Sequence, residues 1–269
     1  MTQSNTPKTH DIQRLLDIMA QLRNPNSGCP WDLAQDYQSI VPFTLEEAYE
    51  VADTIERCAF DELPGELGDL LFQVVFYCQL GKEQGRFDFA NVVDKICRKL
   101  TERHPHVFAE PAQISSQEVK QTWESIKASE RAGRSLTSVL DDIPLNLPAL
   151  SRAAKIQRRV ATQGFDWNEL APVVAKVHEE IDEVLVEVNA DAPDKNKVQE
   201  EMGDLLFAVV NLARHIGVEP EQALRLANAK FERRFRGVEA LAAAADKQMA
   251  EHTLAELDSY WDRVKLTEK

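Results

Sequence analysis

The stretch Glu66-Leu67-Gly68-Asp69-Leu70-Leu71-Phe72 returns in the second half of the chain as Glu201-Met202-Gly203-Asp204-Leu205-Leu206-Phe207. Four further blocks recur in the same order and with similar gaps. They are Glu46–Glu50 with Glu179–Glu183, Gly28–Asp32 with Gly164–Asn168, Lys99 and Arg103 with Lys230 and Arg234, and Trp123–Lys127 with Trp261–Lys265. Five blocks in one order do not arise by chance, so the chain contains two copies of one domain.

The repeat divides the 269 residues into two domains of ordinary size. We predict an N-terminal domain over residues 1–130 and a C-terminal domain over residues 148–269. Residues 131–147 contain serine, threonine and proline without strong apolar periodicity, which is typical of a linker.

Both copies have the composition and periodicity of helices. The chain has only ten glycines, and residues with high helix propensity dominate it. In the second copy, apolar residues recur three and four positions apart at Val177, Ile181, Val184, Leu185 and Val188. The sequence therefore predicts an all-α fold.

A turn in each copy lets one helix return antiparallel to the one before it. The turns lie at residues 60–64 and 191–194, each with a proline. Each copy is therefore predicted to be a bundle of four or five helices around a two-helix hairpin. Gly68 and Gly203 lie inside the returning helices, where glycine costs roughly 1 kcal/mol, so we expect close packing at both positions.

Four carboxylates are predicted to converge on each hairpin, because residues three apart on a helix share a face. They are Glu180, Glu183, Glu201 and Asp204 in the second copy, and Glu47, Glu50, Glu66 and Asp69 in the first. A single such pattern is most often a solvated acidic face. Its complete repetition beside apolar core positions favours a hard divalent cation, which would relieve the mutual repulsion. We expect Mg²⁺, with Mn²⁺ as a substitute. We do not expect iron, because di-iron sites in helical bundles use a Glu-x-x-His pattern, whereas here the residue three positions after the first glutamate is a glutamate or an aspartate.

Basic residues near the second acidic set are candidates for holding a polyphosphate, although each alone is more typical of a protein surface. They are Lys176, Lys197, Lys230 and Arg234. Arginine is suited to bidentate phosphate contacts. Trp261 could stack on a base or belong to the core, and the sequence contains no signal for the identity of the base.

The overall composition excludes some classes of function. A net charge of −14 opposes a protein that wraps nucleic acid. No apolar run is long enough to span a bilayer, and the N-terminus carries no apolar signal segment. The four cysteines form no CxxC pair, which favours free thiols. We therefore expect a cytoplasmic protein that binds neither nucleic acid nor membrane.

Together these motifs, with Cys29–Asp32 and Arg103–Phe108, resemble the MazG family of nucleotide pyrophosphohydrolases over nearly the whole chain. The resemblance implies two tandem MazG-like helical domains, a homodimer, and Mg²⁺ held by the four carboxylates. It also implies hydrolysis of a nucleoside or deoxynucleoside triphosphate, ATP included, between the α and β phosphates. The products would be the monophosphate and pyrophosphate, with broad base specificity.

Carried onto this chain, the resemblance assigns the metal to Glu180, Glu183, Glu201 and Asp204. It assigns the nucleotide to Lys176, Lys197, Lys230, Arg234 and Trp261. Either Glu179 or Glu180 would assist the attacking water. The first copy has Phe43 and Glu62 where the second has Lys176 and Lys197. Because two positive charges are lost there, we predict that the second copy is the main catalyst.

Three alternatives remain open from the sequence. The first is an enzyme of the same chemistry restricted to non-standard nucleotides. The second is a nucleotide sensor without catalysis, which predicts ligand-dependent stabilisation without product. The third is a helical scaffold with acidic faces, which predicts no dependence on Mg²⁺.

Overall fold

The computed structural model describes residues 11–109, 137–245 and 247–268, together with 115, 118, 119, 122, 123, 125 and 126. The predicted polar N-terminus and residues 131–136 of the predicted linker lie outside these residues. The chain divides into two compact units, Met1–Glu130 and Arg131–Lys269. Within the described residues all regular structure is helical, and none of these helices has the length and apolar character needed to cross a membrane.

The first unit is built around the hairpin of its two longest helices. Its helices are α1 (Ile12–Leu22), α2 (Pro30–Leu33), α3 (Tyr37–Glu56), α4 (Leu63–Glu83), α5 (Phe89–Arg103) and α6 (Pro105–Phe108). Asp36 begins α3 because its side chain accepts a hydrogen bond from the backbone N–H of Ser39 at 2.8 Å. Pro64 lies in the first turn of α4, where its missing N–H costs nothing.

The core of the first unit lies between α1, α3 and α4. Its fully or nearly fully buried members are Met19, Ile40, Val75, Phe76 and Leu80. Phe43 and Phe72 pack against this cluster. Phe43 precedes Glu47 by one helical turn and Phe72 follows Asp69 by about one turn, so each helix of the hairpin carries an aromatic residue one turn from an acidic one.

The second unit repeats this arrangement, but the helix that follows its hairpin is longer. Its helices are α7 (Ala149–Ala161), α8 (Leu170–Val188), α9 (Lys195–His215), α10 (Pro220–Ala243) and α11 (Leu254–Thr267), with a 3-10 turn at Met249–Glu251. Helices α8 and α9 pack as an antiparallel hairpin, α7 packs on α9, and α10 packs on α11. Gln157 ties α7 to α9, because its amide donates to the backbone carbonyl of Phe207 at 2.8 Å.

The inner face of the second hairpin combines apolar and charged residues. Val173 and Val184 from α8 and Ala208 and Val210 from α9 are buried there. Glu180, on the same face of α8 as its buried valines, is only 4% exposed. A carboxylate is thus held in the core stripe of the hairpin, which is costly without compensating contacts.

The close packing expected at two helical glycines is wrong within the described chain. Apart from the neighbouring residues and the backbone of its own helix, a Cβ atom added at Gly68 or at Gly203 would meet no described atom within 4 Å. Both glycines lie on outward faces of α4 and α9, so neither is needed for contact between the helices of its own unit.

Candidate metal and nucleotide site

The second unit brings three of its four predicted metal ligands together. One carboxylate oxygen from each of Glu180, Glu183 and Glu201 lies within 4.8 Å of the others. Asp204 falls outside that group, but its charge is close enough to contribute to raising the pKa of Glu201. The largest cause of that raised pKa is burial, followed by Glu183, Asp204 and Glu180.

Glu180 has one oxygen satisfied and one left over. Its Oε1 lies 2.7 Å from Nζ of Lys176, whereas Oε2 is buried and has no partner among the described residues. A buried carboxylate oxygen without a partner is destabilising, and so is the repulsion that raises the pKa of Glu201. A hard divalent cation would relieve both, so these residues fit Mg²⁺ chemically.

Lys176 is fixed between two acids on the same helix. Its Nζ donates to Glu179 at 2.9 Å and also pairs with Glu180. These contacts, with Glu179 the larger cause, hold the pKa of Lys176 above its usual value. The ammonium group is therefore charged at neutral pH and lies beside the carboxylate cluster.

A cavity of about 590 Å³ runs between α7, residues 164–167 and the hairpin α8–α9. Lys176, Glu180 and Asp204 line it beside the carboxylate cluster, and Asn211 lines it two helical turns further along α9, roughly 10 Å away. Its apolar walls include Phe165, Trp167, Val173 and Phe207. The volume lies in the range of roughly 300–1,000 Å³ found for small-molecule sites.

The far end of the cavity, defined by Asp166, Asn211 and Arg214, carries a polar network. Both terminal nitrogens of Arg214 donate to the carboxylate of Asp166, forming a bidentate pair. This contact is the main reason that the pKa of Asp166 is lowered. His215 Nε2 also lies 3.0 Å from Asp166. Arg214, held by Asp166, also donates to the side-chain oxygen of Asn211.

The other predicted nucleotide-binding residues lie elsewhere. None of Lys197, Lys230, Arg234 and Trp261 lines the cavity. Lys197 lies 3.8 Å from Glu187, while Arg234 pairs with Glu268 at 2.8 Å and lies over the ring of Trp261. Lys230, Arg234 and Trp261 therefore form a separate group on α10 and α11, and their role in binding stays a prediction.

The first unit has a matching acidic cluster in different surroundings. Oxygens of Glu47, Glu66 and Asp69 lie within 4.8 Å of one another. Burial is the largest cause of the raised pKa of Glu47, and Asp69 and Glu50 add to it. Phe43 replaces Lys176 there, and its ring meets that of Trp31 edge to face at 5.7 Å. The acids are retained, but the cation beside them is not.

Sequence reasoning missed the residues at the far end of the cavity. Asp166, Asn211 and Arg214 had appeared only as parts of a repeat or not at all. A signal was present, because the first copy has Pro30, Phe76 and Gln79 at the corresponding positions. Differences between the copies would have indicated the polar network better than their similarities.

Comparison with known proteins places the chain in a family. The MazG nucleotide pyrophosphohydrolase domain matches it twice, at residues 35–108 and 169–238. The chain belongs to the MazG family. This confirms the predicted family, the all-α fold in two tandem copies, and the predicted enzyme class, a hydrolase of phosphoric anhydrides.

Several curated relatives match nearly the full length. A protein of Escherichia coli (strain K12) named nucleoside triphosphate pyrophosphohydrolase is 56% identical over 259 residues, which cover 96% of this chain and 98% of the relative. A protein of Thermotoga maritima named nucleoside triphosphate pyrophosphohydrolase/pyrophosphatase MazG is 39% identical over 254 residues, covering 94% and 95%. This chain is therefore similar to both along its two MazG domains.

Proposed function

We propose that the chain is an Mg²⁺-dependent nucleoside triphosphate pyrophosphohydrolase with broad base specificity, whose second unit is the main catalyst. It converts a nucleoside or deoxynucleoside triphosphate and water into the monophosphate and pyrophosphate. One observation carries the proposal: the cluster of Glu180, Glu183 and Glu201 adjoins a cavity of nucleotide size and contains a buried oxygen that no described residue contacts by a hydrogen bond. The names of the two relatives support the same reaction.

The metal is assigned to the four carboxylates predicted from the sequence. They are Glu180, Glu183, Glu201 and Asp204. When bound, Mg²⁺ supplies Lewis-acid stabilisation of phosphate oxygens and lowers the pKa of a nearby water. Mn²⁺ is expected to substitute, because it takes the same oxygen ligands.

The residues of the chain contribute a base and positive charge. Glu179 is the better candidate for the base, since both oxygens of Glu180 are assigned, one to Lys176 and one to the metal, whereas Glu179 pairs with Lys176 through Oε1 alone. The carboxylate takes a proton from water as the water oxygen bonds to phosphorus and the bond to the departing pyrophosphate breaks. Lys176 stabilises the charge that develops on the phosphates.

The nucleoside is assigned to the cavity and the outer phosphates to α10. Phe165, Trp167 and Phe207 offer apolar walls for a base and sugar. Lys230 and Arg234 would then hold phosphates, with Arg234 exchanging its carboxylate partner Glu268 for a phosphate oxygen. Trp261, expected near the base, packs on Phe231 with ring centroids 5.1 Å apart.

We also propose a cytoplasmic homodimer. Apolar side chains on the outer faces of α8 and α9 are exposed, including Leu185, Met202, Leu206 and Val209. Such a surface supports burial against a second copy. Light scattering coupled to size exclusion should give twice the chain mass of 30.4 kDa. The free cysteines support a reducing compartment, and the net charge of −14 opposes nucleic acid as a partner.

The reaction is tested by incubating the protein with ATP and with dGTP, with and without Mg²⁺, and separating the products by ion exchange. We expect monophosphate and pyrophosphate only with the metal, and none from Glu180→Gln. Glu239→Gln, an exposed glutamate on α10, is the matched control and should behave as the wild type. Diphosphate with phosphate would refute the bond assignment, and binding without product would favour the sensor.

A further inference from the structure

The far end of the cavity carries side chains that the first unit lacks as a group. Four polar residues of the second unit stand where the first unit has residues that cannot form the same network. They are Asp166, Asn211, Arg214 and His215, in place of Pro30, Phe76, Gln79 and Leu80. Because all four residues differ together, we infer that they act together at the far end of the cavity. This role is separate from that of the acidic cluster, which both units retain.

The network fixes the orientation of the Asn211 amide. Arg214 donates to Oδ1 of Asn211 through two nitrogens, at 2.7 and 3.1 Å. Arg214 is itself held in place by its ion pair with Asp166. Oδ1 of Asn211 therefore stays occupied as the acceptor for Arg214. Asn211 is 9% exposed and lines the cavity, and the hydrogen bonds found for its side chain among the described residues both use Oδ1. Two N–H donors are therefore left for a ligand.

Gln157 offers the complementary group. Its Nε2 donates to the carbonyl of Phe207 at 2.8 Å, so in Gln157 the amide nitrogen is occupied and the oxygen is left over, the reverse of Asn211. Its Oε1 is buried without a partner among the described residues, and the side chain is only 5% exposed. Gln157 also lines the cavity. An acceptor is thus available within the same cavity as the Asn211 donor.

A donor and an acceptor held in an apolar cavity suit the hydrogen-bonding edge of a nucleobase. If phosphates bind beside Glu180 and Lys176, the part of the base farthest from the sugar reaches Asn211. That part is the edge opposite the glycosidic bond, where every standard base has both a donor and an acceptor. We propose that Asn211 and Gln157 bind this edge, an assignment that rests on the proposed function. The site then accepts several bases but rejects any whose edge is blocked, because two buried amide atoms would stay unpaired.

The first test uses the wild-type protein with altered substrates. We expect kcat/KM for pyrophosphate release from 1-methyl-dGTP to fall at least about tenfold below that for dGTP. The control is 7-deaza-dGTP, which leaves the edge opposite the sugar intact and should match dGTP within about twofold. Equal rates for 1-methyl-dGTP and dGTP would overturn the proposal.

The second test uses two independent variants, so that failure of one to fold does not decide the result. Asn211→Leu and Gln157→Leu should each lower kcat/KM for dGTP about tenfold while leaving hydrolysis of the baseless 2-deoxyribose 5-triphosphate unchanged. Asn228→Leu, an exposed asparagine on α10, is the matched control. If both cavity variants lose activity equally on dGTP and on the baseless substrate, the side chains have a structural role only and the proposal is wrong.

The two proposals fail in different ways. Metal-dependent turnover of dGTP that neither variant alters would refute base binding and leave the proposed function standing. No turnover by the wild type would refute the proposed function. Base binding is then decided by thermal shift, and equal stabilisation by dGTP and 1-methyl-dGTP would refute it too.

Discussion

The two units have the same acidic hairpin and different surroundings for it. Three carboxylates meet on α3–α4 in the first unit and three on α8–α9 in the second. In the first, Phe76 is fully buried in the core. In the second, the corresponding residue is Asn211, which lines a cavity. Both units thus have an acidic cluster, whereas the side chains beside the clusters differ, and we expect the nucleotide to bind where those side chains leave a cavity.

The space beside the hairpin is filled by aromatic rings in the first unit and open as a cavity in the second, and these two arrangements have opposite effects on stability. An aromatic ring packed in a core stabilises its unit, while a cavity gives up those contacts in exchange for space for a ligand. Phe43 and Phe76 belong to the packed arrangement, and Lys176 and Asn211 to the open one. We therefore expect the first unit to contribute mainly stability and the second mainly activity.

The largest expected effect comes from removing an aromatic ring from the core of the first unit. Phe76→Ala should lower the free energy of unfolding of that unit by about 3–5 kcal/mol, because it leaves a cavity in a packed core. Asn211→Ala in the second unit should cost less, about 1–3 kcal/mol. Urea unfolding followed by circular dichroism measures both. Equal losses would contradict the difference in packing between the units.

The next effect concerns the cation that only the second unit has. Lys176→Met should lower kcat/KM for ATP by roughly 10- to 100-fold, since a charge-assisted contact to phosphate contributes about 1.5–3 kcal/mol. Phe43→Met in the first unit is the matched control, and steady-state pyrophosphate release is the measurement. A loss with Phe43→Met that equals the loss with Lys176→Met would assign catalysis to both units.

Mg²⁺ should stabilise the protein through the carboxylate clusters. At a concentration tenfold above its Kd, a bound ion adds about 1.4 kcal/mol to stability. We expect Glu201→Gln to remove most of the rise in Tm caused by Mg²⁺ in the second unit, and differential scanning calorimetry measures it. The exposed-surface variant Glu239→Gln should retain the full rise. An unchanged rise in Glu201→Gln would place the metal elsewhere.

The smallest effect is the dependence of stability on pH without metal. The pKa of Glu201 is raised above its ordinary value of 4.5, mainly by burial, so the folded state binds its proton more tightly than the unfolded state does. This group therefore favours folding more as the pH falls through its raised pKa, and less as the pH rises. The Tm in EDTA should show a contribution of this sign as the pH falls through the raised pKa toward 4.5, and Glu201→Gln should lack it. The opposite sign would contradict the raised pKa of Glu201.

Local features of the sequence were enough to predict the helices and the hairpins. Helical periodicity in α8 and the proline-containing turns placed Glu180 and Glu183 opposite Glu201, because these signals act over a few residues. The far end of the cavity was harder to predict, since the contact between Asp166 and Arg214 joins residues distant in the sequence and only the differences between the two copies pointed to it. Gly203 was misjudged for the same reason: a glycine in a helix does not show what lies beside it.

The most direct test of the account compares Glu201→Gln with Glu66→Gln in the Mg²⁺-dependent release of pyrophosphate from ATP. Both substitutions keep the shape of the side chain and remove one carboxylate from a three-carboxylate cluster. We predict that Glu201→Gln loses activity on the order of a hundredfold or more, while Glu66→Gln keeps most of it. Activity that survives in Glu201→Gln and vanishes in Glu66→Gln would contradict the assignment of catalysis to the second unit.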